Sequence, residues 1–197
     1  MTNVGPGEPP RPGGDPAAAA DMRMMAMSAA YIGFANREYA PLICFLACMG
    51  ATLQESKIAA HEAIDTGLAL LTTEPRSWER IKDPSCWIRQ EALRAWQCPP
   101  EDRHHRALIP LTDAHEQGSQ DDSLDGLMDL TKDGLAAIRR LPYEQRLAMA
   151  CSLNGLSSAT MTALMGVSGT RSLDLLSEAR AALKHDLADY QREETPE

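Results

Sequence analysis

The sequence predicts an all-α protein, and three observations support this fold class. Only 5% of the residues are aromatic, so the core must be built mainly from Leu, Ala, Met and Ile, which favours helices. No segment has the alternating pattern of a convincing strand. Apolar residues instead recur at helical spacing, as in residues 22–49 with Tyr31, Phe34, Tyr39, Leu42, Phe45 and Leu46.

The distribution of charge divides the chain into candidate domains. The net charge is −9, yet residues 22–98 hold eight basic and eight acidic residues, and residues 127–190 hold seven of each. Residues 99–126 hold two basic and seven acidic residues among prolines and glycines, which is typical of a flexible linker. The tails, 1–21 and 191–197, carry −2 each, and the first is too rich in Pro, Gly and Ala to bury apolar surface. We therefore expect two small neutral helical domains, an acidic linker and two unstructured tails.

Capping signals place the helices of the first domain. One or two helices are expected in residues 22–49, ending near Gly50 as a C-cap. Asp83-Pro84 predicts another helix, with an N-capping Asp and Pro at the first helical position, that runs to about Gln97. Between them, a helix from about 52 to 71 is expected to bury a stripe of Ile58, Ala59, Ala63, Leu68 and Leu71.

The second domain has the spacing of a helix-turn-helix. A helix near 127–140 is stopped by Pro142, and three more are expected at 143–154, 157–165 and 170–190. Gly155 and the tight turn Gly166-Val167-Ser168-Gly169 separate these three. In a helix-turn-helix the last helix is offered to the DNA major groove, so this segment predicts DNA binding.

Several local strings resemble those of extracytoplasmic-function (ECF) sigma factors. The second domain carries Leu141-Pro142-x-x-Gln145-Arg146, then Gly155-Leu156-Ser157, Leu164-Met165-Gly166-Val167-Ser168, Gly169-Thr170 and Glu178-Ala179-Arg180-Ala181-Ala182-Leu183. The first domain carries Tyr39-x-x-Leu42 with Phe45-Leu46, then His61-Glu62-Ala63-Ile64 and Asp83-Pro84-x-x-Trp87-Ile88-Arg89. The resemblance covers roughly residues 28–98 and 127–187. It implies a region-2-like first domain and a region-4-like second domain.

This resemblance implies transcription initiation without catalysis by the chain, and it implies the partners. The first domain would dock on the β′ clamp helices of bacterial RNA polymerase core and open the −10 element of promoter DNA. The second would contact the −35 element, with the β flap as a further polymerase contact, and an anti-sigma factor is another implied partner. The implied polymerase-binding residues are Ile58, His61, Glu62 and Asp65. The implied DNA-binding residues are Trp78, Arg80, Lys82, Trp87, Arg89 and Arg94 for the −10 element, and Ser168, Gly169, Thr170, Arg171, Ser172, Arg180 and Lys184 for the −35 element.

The sequence also departs from the family pattern. Lys57 and Ile58 stand where acidic residues would meet basic clamp residues, so the usual polymerase contact is weakened. Arg171 replaces a Val that is buried in the family, and Asp174 replaces an Arg that would approach phosphate. An alternative is therefore a sigma-like regulator that acts through protein interactions with weak or no promoter binding. Two purely structural interpretations also remain open. Trp87 could be a core residue, and Arg180 and Lys184 could serve only to cap the last helix.

Neither a catalytic motif nor a convincing metal or cofactor site is recognisable in the sequence. Cys44-x-x-x-Cys48 places two thiols on one helix face, which is more typical of core packing than of a metal site. Cys98, His104, His105 and His115 lie in the expected linker and are best interpreted as solvated. The five scattered cysteines favour a reducing cytoplasm, and no signal peptide or membrane-spanning run is visible.

Overall fold

The structure is a computed structural model that describes residues 16–97 and 132–193, and throughout these two stretches the regular structure is helical. The all-α prediction is confirmed for this part of the chain. The expected linker, 99–126, lies outside the described residues, as do residues 1–15 and 127–131. The helices are α1 (Pro16–Met49), α2 (Leu53–Thr73), α3 (Pro75–Glu79), α4 (Pro84–Gln97), α5 (Lys132–Arg140), α6 (Tyr143–Leu153), α7 (Ser158–Met165) and α8 (Gly169–Glu193).

Helix α1 is longer than expected. It is one helix of 34 residues, and it begins at Pro16 rather than near residue 22, so the end of the expected unstructured tail is helical. Proline suits the first helical position because its missing N–H has no partner there, and the alanines at 17–20 are the best helix formers. The helix continues through Pro41 and ends, as predicted, before Gly50, whose φ of 113° favours glycine.

The start of α2 is fixed by a capping box, and its buried face differs in part from the prediction. The Thr52 hydroxyl accepts the Glu55 N–H, and the Glu55 carboxylate accepts the Thr52 N–H at 2.8 Å. Leu68 is exposed and Ile58 is half-buried. The residues that α2 buries are Ser56, Ala59, Ala60, Ala63, Gly67 and Leu71. Small residues dominate this face because α2 packs closely against α1 and α4.

Helix α4 begins as the sequence predicts. The Asp83 carboxylate accepts the Cys86 N–H at 3.0 Å, and Pro84 takes the first helical position. The short helix α3 was not expected; it follows the break at Pro75.

The helices after residue 132 end close to their predicted bounds. Gly155 and Gly166 have φ of 65° and 66° in the two turns, and Ser157 caps α7 by accepting the Thr160 N–H at 3.1 Å. Helix α8 runs to Glu193, so residues 191–193 of the expected tail are helical. None of the described helices is both long and apolar enough to cross a membrane.

The two described stretches share one hydrophobic core. Helix α1 packs on α6, and α4 packs on α7. Phe45 and Ile88 from the first stretch belong to the same buried cluster as Leu147, Cys151 and Met161 from the second. We call this packing of residues 16–97 on 132–186 the closed arrangement.

Polar contacts also join the two stretches. Arg139 donates hydrogen bonds to the carbonyls of Ala47 and Ala51, at 3.2 and 2.8 Å, and Arg146 donates to the Met49 carbonyl at 3.0 Å. The carbonyls at a helix C-terminus lack intrahelical partners, and arginine satisfies them with a favourable charge. The two guanidinium groups therefore cap α1 from the other stretch.

Candidate nucleic-acid and partner surfaces

The first turn of α8 brings several predicted DNA-binding residues together on the surface. Ser168, Gly169, Thr170 and Arg171 are all exposed. The turn forms because Gly166 ends α7 in the left-handed conformation, and the Ser168 hydroxyl then accepts the Arg171 N–H at 3.2 Å. A helix start of this kind offers free N–H groups and a partial positive charge to an anion.

Ser172 is not available to DNA, which corrects the prediction for this residue. Its side chain is fully buried, and its hydroxyl donates to the Gly169 carbonyl at 2.8 Å and lies 3.2 Å from the Thr162 hydroxyl. Arg171, by contrast, is exposed. The residue that anchors the start of α8 in its own domain is therefore Ser172, one position later than the resemblance implied.

Carboxylates surround Arg171. Its guanidinium lies 3.2 Å from Glu178 and 3.6 Å from Glu144. Asp174 is exposed one turn further along the same helix. A phosphate that approaches Arg171 meets these carboxylates as well, which reduces the electrostatic attraction.

Arg180 and Lys184 are exposed further along α8. Arg180 lies about 13 Å beyond Arg171 at the helical rise, and it donates to the Ser152 hydroxyl at 3.2 Å. Because α8 continues to Glu193, neither side chain lies in its last turn. The interpretation that these two residues only cap the helix is therefore wrong.

Trp78 and Trp87 contact each other in an aromatic cluster. Their ring centroids lie 5.7 Å apart, edge to face, and Trp78 also lies 4.9 Å from Tyr31. Both indoles are half-buried, and Trp87 packs against the main core. Edge-to-face packing holds these rings in place. Packing in the core therefore explains why one side of the Trp87 ring is buried.

Arg89 is a buried structural residue, which corrects its predicted contact with DNA. Its guanidinium lies 2.7 Å from the Glu38 carboxylate and donates to the Ser85 carbonyl at 2.9 Å. The side chain is 2% exposed, and the Ser85 hydroxyl donates to the same carboxylate. Sequence reasoning missed Glu38 because it stands on a different helix, and only the packing of α1 on α4 brings it to Arg89.

The other predicted cations of the first stretch lie on the surface. Arg80, Lys82 and Arg94 are exposed, and Arg94 is paired with Glu91 at 2.6 Å. Arg80 borders an open groove of about 590 Å³ between the start of α1 and the α2–α3 connection. The structure thus brings Arg80 near Arg23 and Arg76, which the sequence did not single out.

The four predicted polymerase-binding residues share one face of α2. Ile58, His61, Glu62 and Asp65 are all half-buried. The His61 Nδ1–H donates to the Lys57 carbonyl, at 2.8 Å, and the ring packs edge to face on Tyr39. Burial raises the pKa of Asp65, and nearby His61 opposes this shift. A partner that binds this face meets two carboxyl groups, Glu62 and Asp65, and a histidine whose ring already contacts Tyr39 of α1.

The described thiols are poorly suited to metal binding or redox chemistry at neutral pH. Burial raises the pKa of Cys44 and of Cys48 to about 11, and that of Cys151 to about 12. The thiolate is the reactive form and the metal ligand, so these thiols remain protonated. Within residues 16–97 and 132–193 no three His, Cys, Asp or Glu side chains form a candidate metal site. Cys98, His104, His105 and His115 lie outside the described residues.

No protein-family model, curated protein or solved structure matches this chain.

Proposed function

We propose that the protein is a sigma-type subunit that binds RNA polymerase core and directs promoter recognition. The observation that carries this proposal is the exposed first turn of α8 (Ser168, Gly169, Thr170 and Arg171), which follows a tight left-handed turn after α7. In a helix-turn-helix this turn enters the major groove while the preceding helix supports it. The buried hydrogen bond between Thr162 and Ser172 holds α7 and α8 in this relationship.

The chemistry at this turn suits contact with the DNA backbone. The N–H groups at Gly169 and Thr170 and the Thr170 hydroxyl can donate to phosphate oxygens. Arg180 and Lys184 add cations further along the helix. Arg171 can reach a base or a phosphate only after it leaves Glu144 and Glu178, which lie within 3.6 Å.

The first stretch supplies the polymerase contact and the −10 contact in this proposal. The α2 face with Ile58, His61, Glu62 and Asp65 docks on the β′ clamp helices. Arg80, Lys82 and Arg94 are exposed cations that can hold phosphates of an opened strand. Trp78 and Trp87 are half-buried, so only part of each ring is available for stacking on bases.

The closed arrangement bears on how such a subunit would act. The centres of the −10 and −35 elements lie about 25 base pairs apart, which is roughly 85 Å along the duplex. Two modules that share a buried core cannot occupy both elements at once. Promoter binding through both modules therefore requires residues 16–97 to separate from 132–186.

One observation favours a second candidate function. Arg171 is paired with two carboxylates, and Asp174 is exposed on the same helix. These carboxylates weaken DNA binding and favour contact with a basic partner protein. The second candidate is thus a sigma-like regulator that binds polymerase or another transcription protein without reading promoters.

The test is a gel-shift series with core RNA polymerase, the full chain and duplex fragments randomised over the −35 region, at rising salt. A stable ternary complex that enriches particular sequences and weakens with salt supports promoter recognition. Thr170→Glu should abolish DNA retention but not polymerase binding, whereas Ala136→Glu, with the same charge change at an exposed site on α5, should retain DNA. Polymerase binding without DNA retention by the unmodified chain would favour the regulator. No polymerase binding would exclude promoter recognition and leave only a regulator that binds another transcription protein.

A further inference from the structure

An apolar stripe runs along the exposed side of the N-terminal half of α1. It consists of Ala18, Met22, Met25, Ala29 and Ile32, all exposed to solvent. Its large members, Met22, Met25 and Ile32, are 65%, 72% and 48% exposed, respectively. Steps of four and three residues place all five on one face, which is the spacing of a coiled-coil seam.

The stripe has no structural role within the described part of the chain. The opposite side of α1 supplies the contacts that hold the helix, since Tyr31 and Ala35 are buried in a cluster with Trp78. No charged residue occurs between Arg23 and Arg37, so the stripe carries no charge from Met25 to Ile32, and the exposed Asp21 borders only its first half. Single exposed apolar residues are ordinary, but a contiguous set in helical register marks an interaction surface.

We propose that this stripe binds the same stripe of a second copy of the chain, in antiparallel orientation. An antiparallel pairing centred between Met25 and Ala29 places each Met25 opposite the partner's small Ala29. It also places each Met22 opposite the partner's Ile32. Each contact then occurs twice about a two-fold axis, which is the form of a closed homodimer interface. Large side chains face small ones at the centre, so the two helices can approach closely.

The apolar character of the seam and the area that it can bury are compatible with a second copy, and together with the net charge they predict a weak dimer. Each chain carries a net charge of −9, so two copies repel unless their contact is uncharged and their remaining parts lie apart. The antiparallel pairing meets both conditions, because the two chains extend from the seam in opposite directions. The stripe is about 21 Å long at the helical rise. Pairing it buries on the order of 1,000 Å² in total, the lower limit for a specific interface, so association should be reversible and concentration-dependent.

Sedimentation equilibrium of the full chain over a wide concentration range tests this proposal. The unmodified chain should show a reversible monomer–dimer equilibrium. Met25→Glu, which places two carboxylates in the seam, should weaken association at least tenfold. Ala30→Glu is the matched control, because Ala30 is exposed on the same helix but off the stripe, and it should dimerise like the unmodified chain. Circular dichroism should give equal helix content for all variants.

The double variant Met25→Glu with Ala29→Lys tests the orientation. In the antiparallel pairing each Glu faces a Lys of the partner, so dimerisation should return, whereas a parallel pairing would keep like charges together. The proposal is overturned if the unmodified chain stays monomeric at all concentrations, or if Met25→Glu associates as before. In the monomeric case, flotation with phosphatidylglycerol vesicles would assign the stripe to a lipid surface instead. The measurement uses neither polymerase nor DNA, so its outcome is independent of the proposed function.

Discussion

The Thr160 hydroxyl donates a 2.7 Å hydrogen bond to Asp83, which at the same time caps α4 with its other carboxylate oxygen. The residue that starts α4 in the first stretch therefore also holds α7 of the second. Both groups are largely shielded from water, and Thr160 is 8% exposed. The Asp83 side chain therefore both caps α4 and helps to hold the two stretches in the closed arrangement.

Thr160→Val should lower the free energy of unfolding by about 1.5–3 kcal/mol, because it removes a hydrogen bond to a charged acceptor. Urea denaturation followed by circular dichroism measures the change. Thr170→Val is the control, since Thr170 is exposed and should change stability by less than about 0.5 kcal/mol. Equal effects of the two substitutions would contradict a role for this hydrogen bond.

Arg139 and Arg140 are neighbours with different tasks, and this allows a matched comparison. Arg139 donates to the Ala47 carbonyl in the last turn of α1 and to the Ala51 carbonyl just after it, whereas Arg140 makes an exposed ion pair with Asp186 at 3.2 Å. Arg139→Ala should cost about 1–3 kcal/mol because it removes two hydrogen bonds from a charged donor. Arg140→Ala should cost about 0–1 kcal/mol. Thermal or urea unfolding distinguishes them, and a larger loss for Arg140→Ala would refute the capping role.

Removal of the Arg89 guanidinium should be the most damaging of these changes. Arg89→Met leaves the Glu38 carboxylate without its partner in a buried site, and breaking such a pair typically costs about 3–5 kcal/mol. Arg94→Met removes an exposed cation from the same helix and should cost less than about 1 kcal/mol. If Arg89→Met, once folded, binds DNA and polymerase as well as the unmodified chain, Arg89 acts through structure alone. A stable Arg89→Met protein with lost DNA binding would instead restore the original prediction for this residue.

The buried thiols predict a loss of stability in alkali. Folding raises the pKa of Cys44 and Cys48 from 9.0 to about 11, and that of Cys151 to about 12. A group whose pKa is raised by folding stabilises the native state below its unfolded pKa, and this contribution falls as pH rises toward the folded value. The free energy of unfolding should therefore decline from about pH 9 upward. Urea titrations at increasing pH measure this, and Cys151→Ala should show a shallower decline than the unmodified chain. A stability that does not change between neutral and strongly alkaline pH would contradict it.

Local signals predicted the helices well, and long-range contacts account for most of what was missed. Thr52 with Glu55, Asp83 with Pro84, and Gly166 each act within a few residues, so their effect is visible in the sequence. Arg89 belongs to the same predicted string as Trp87, but its partner Glu38 lies 51 residues away, and no local pattern marks it.

The candidate site was predicted only in part for the same reason. The exposed turn with Thr170 follows from the glycines around it, whereas the burial of Ser172 depends on how α7 and α8 cross. The contacts between the two stretches depend on the complete core, which the charge distribution does not reveal. The sequence thus predicted the exposed turn but not the burial of Ser172.

The contact between Gly50 and Arg146 has an evolutionary consequence. A Cβ at residue 50 would lie 3.2 Å from the Arg146 guanidinium that caps α1, and the φ of 113° already disfavours other residues. A lineage that replaces Gly50 must therefore move the Arg146 guanidinium by a few tenths of an ångström, which disturbs the cap on the Met49 carbonyl. The two positions should covary among homologues, although 95 residues lie between them in the chain.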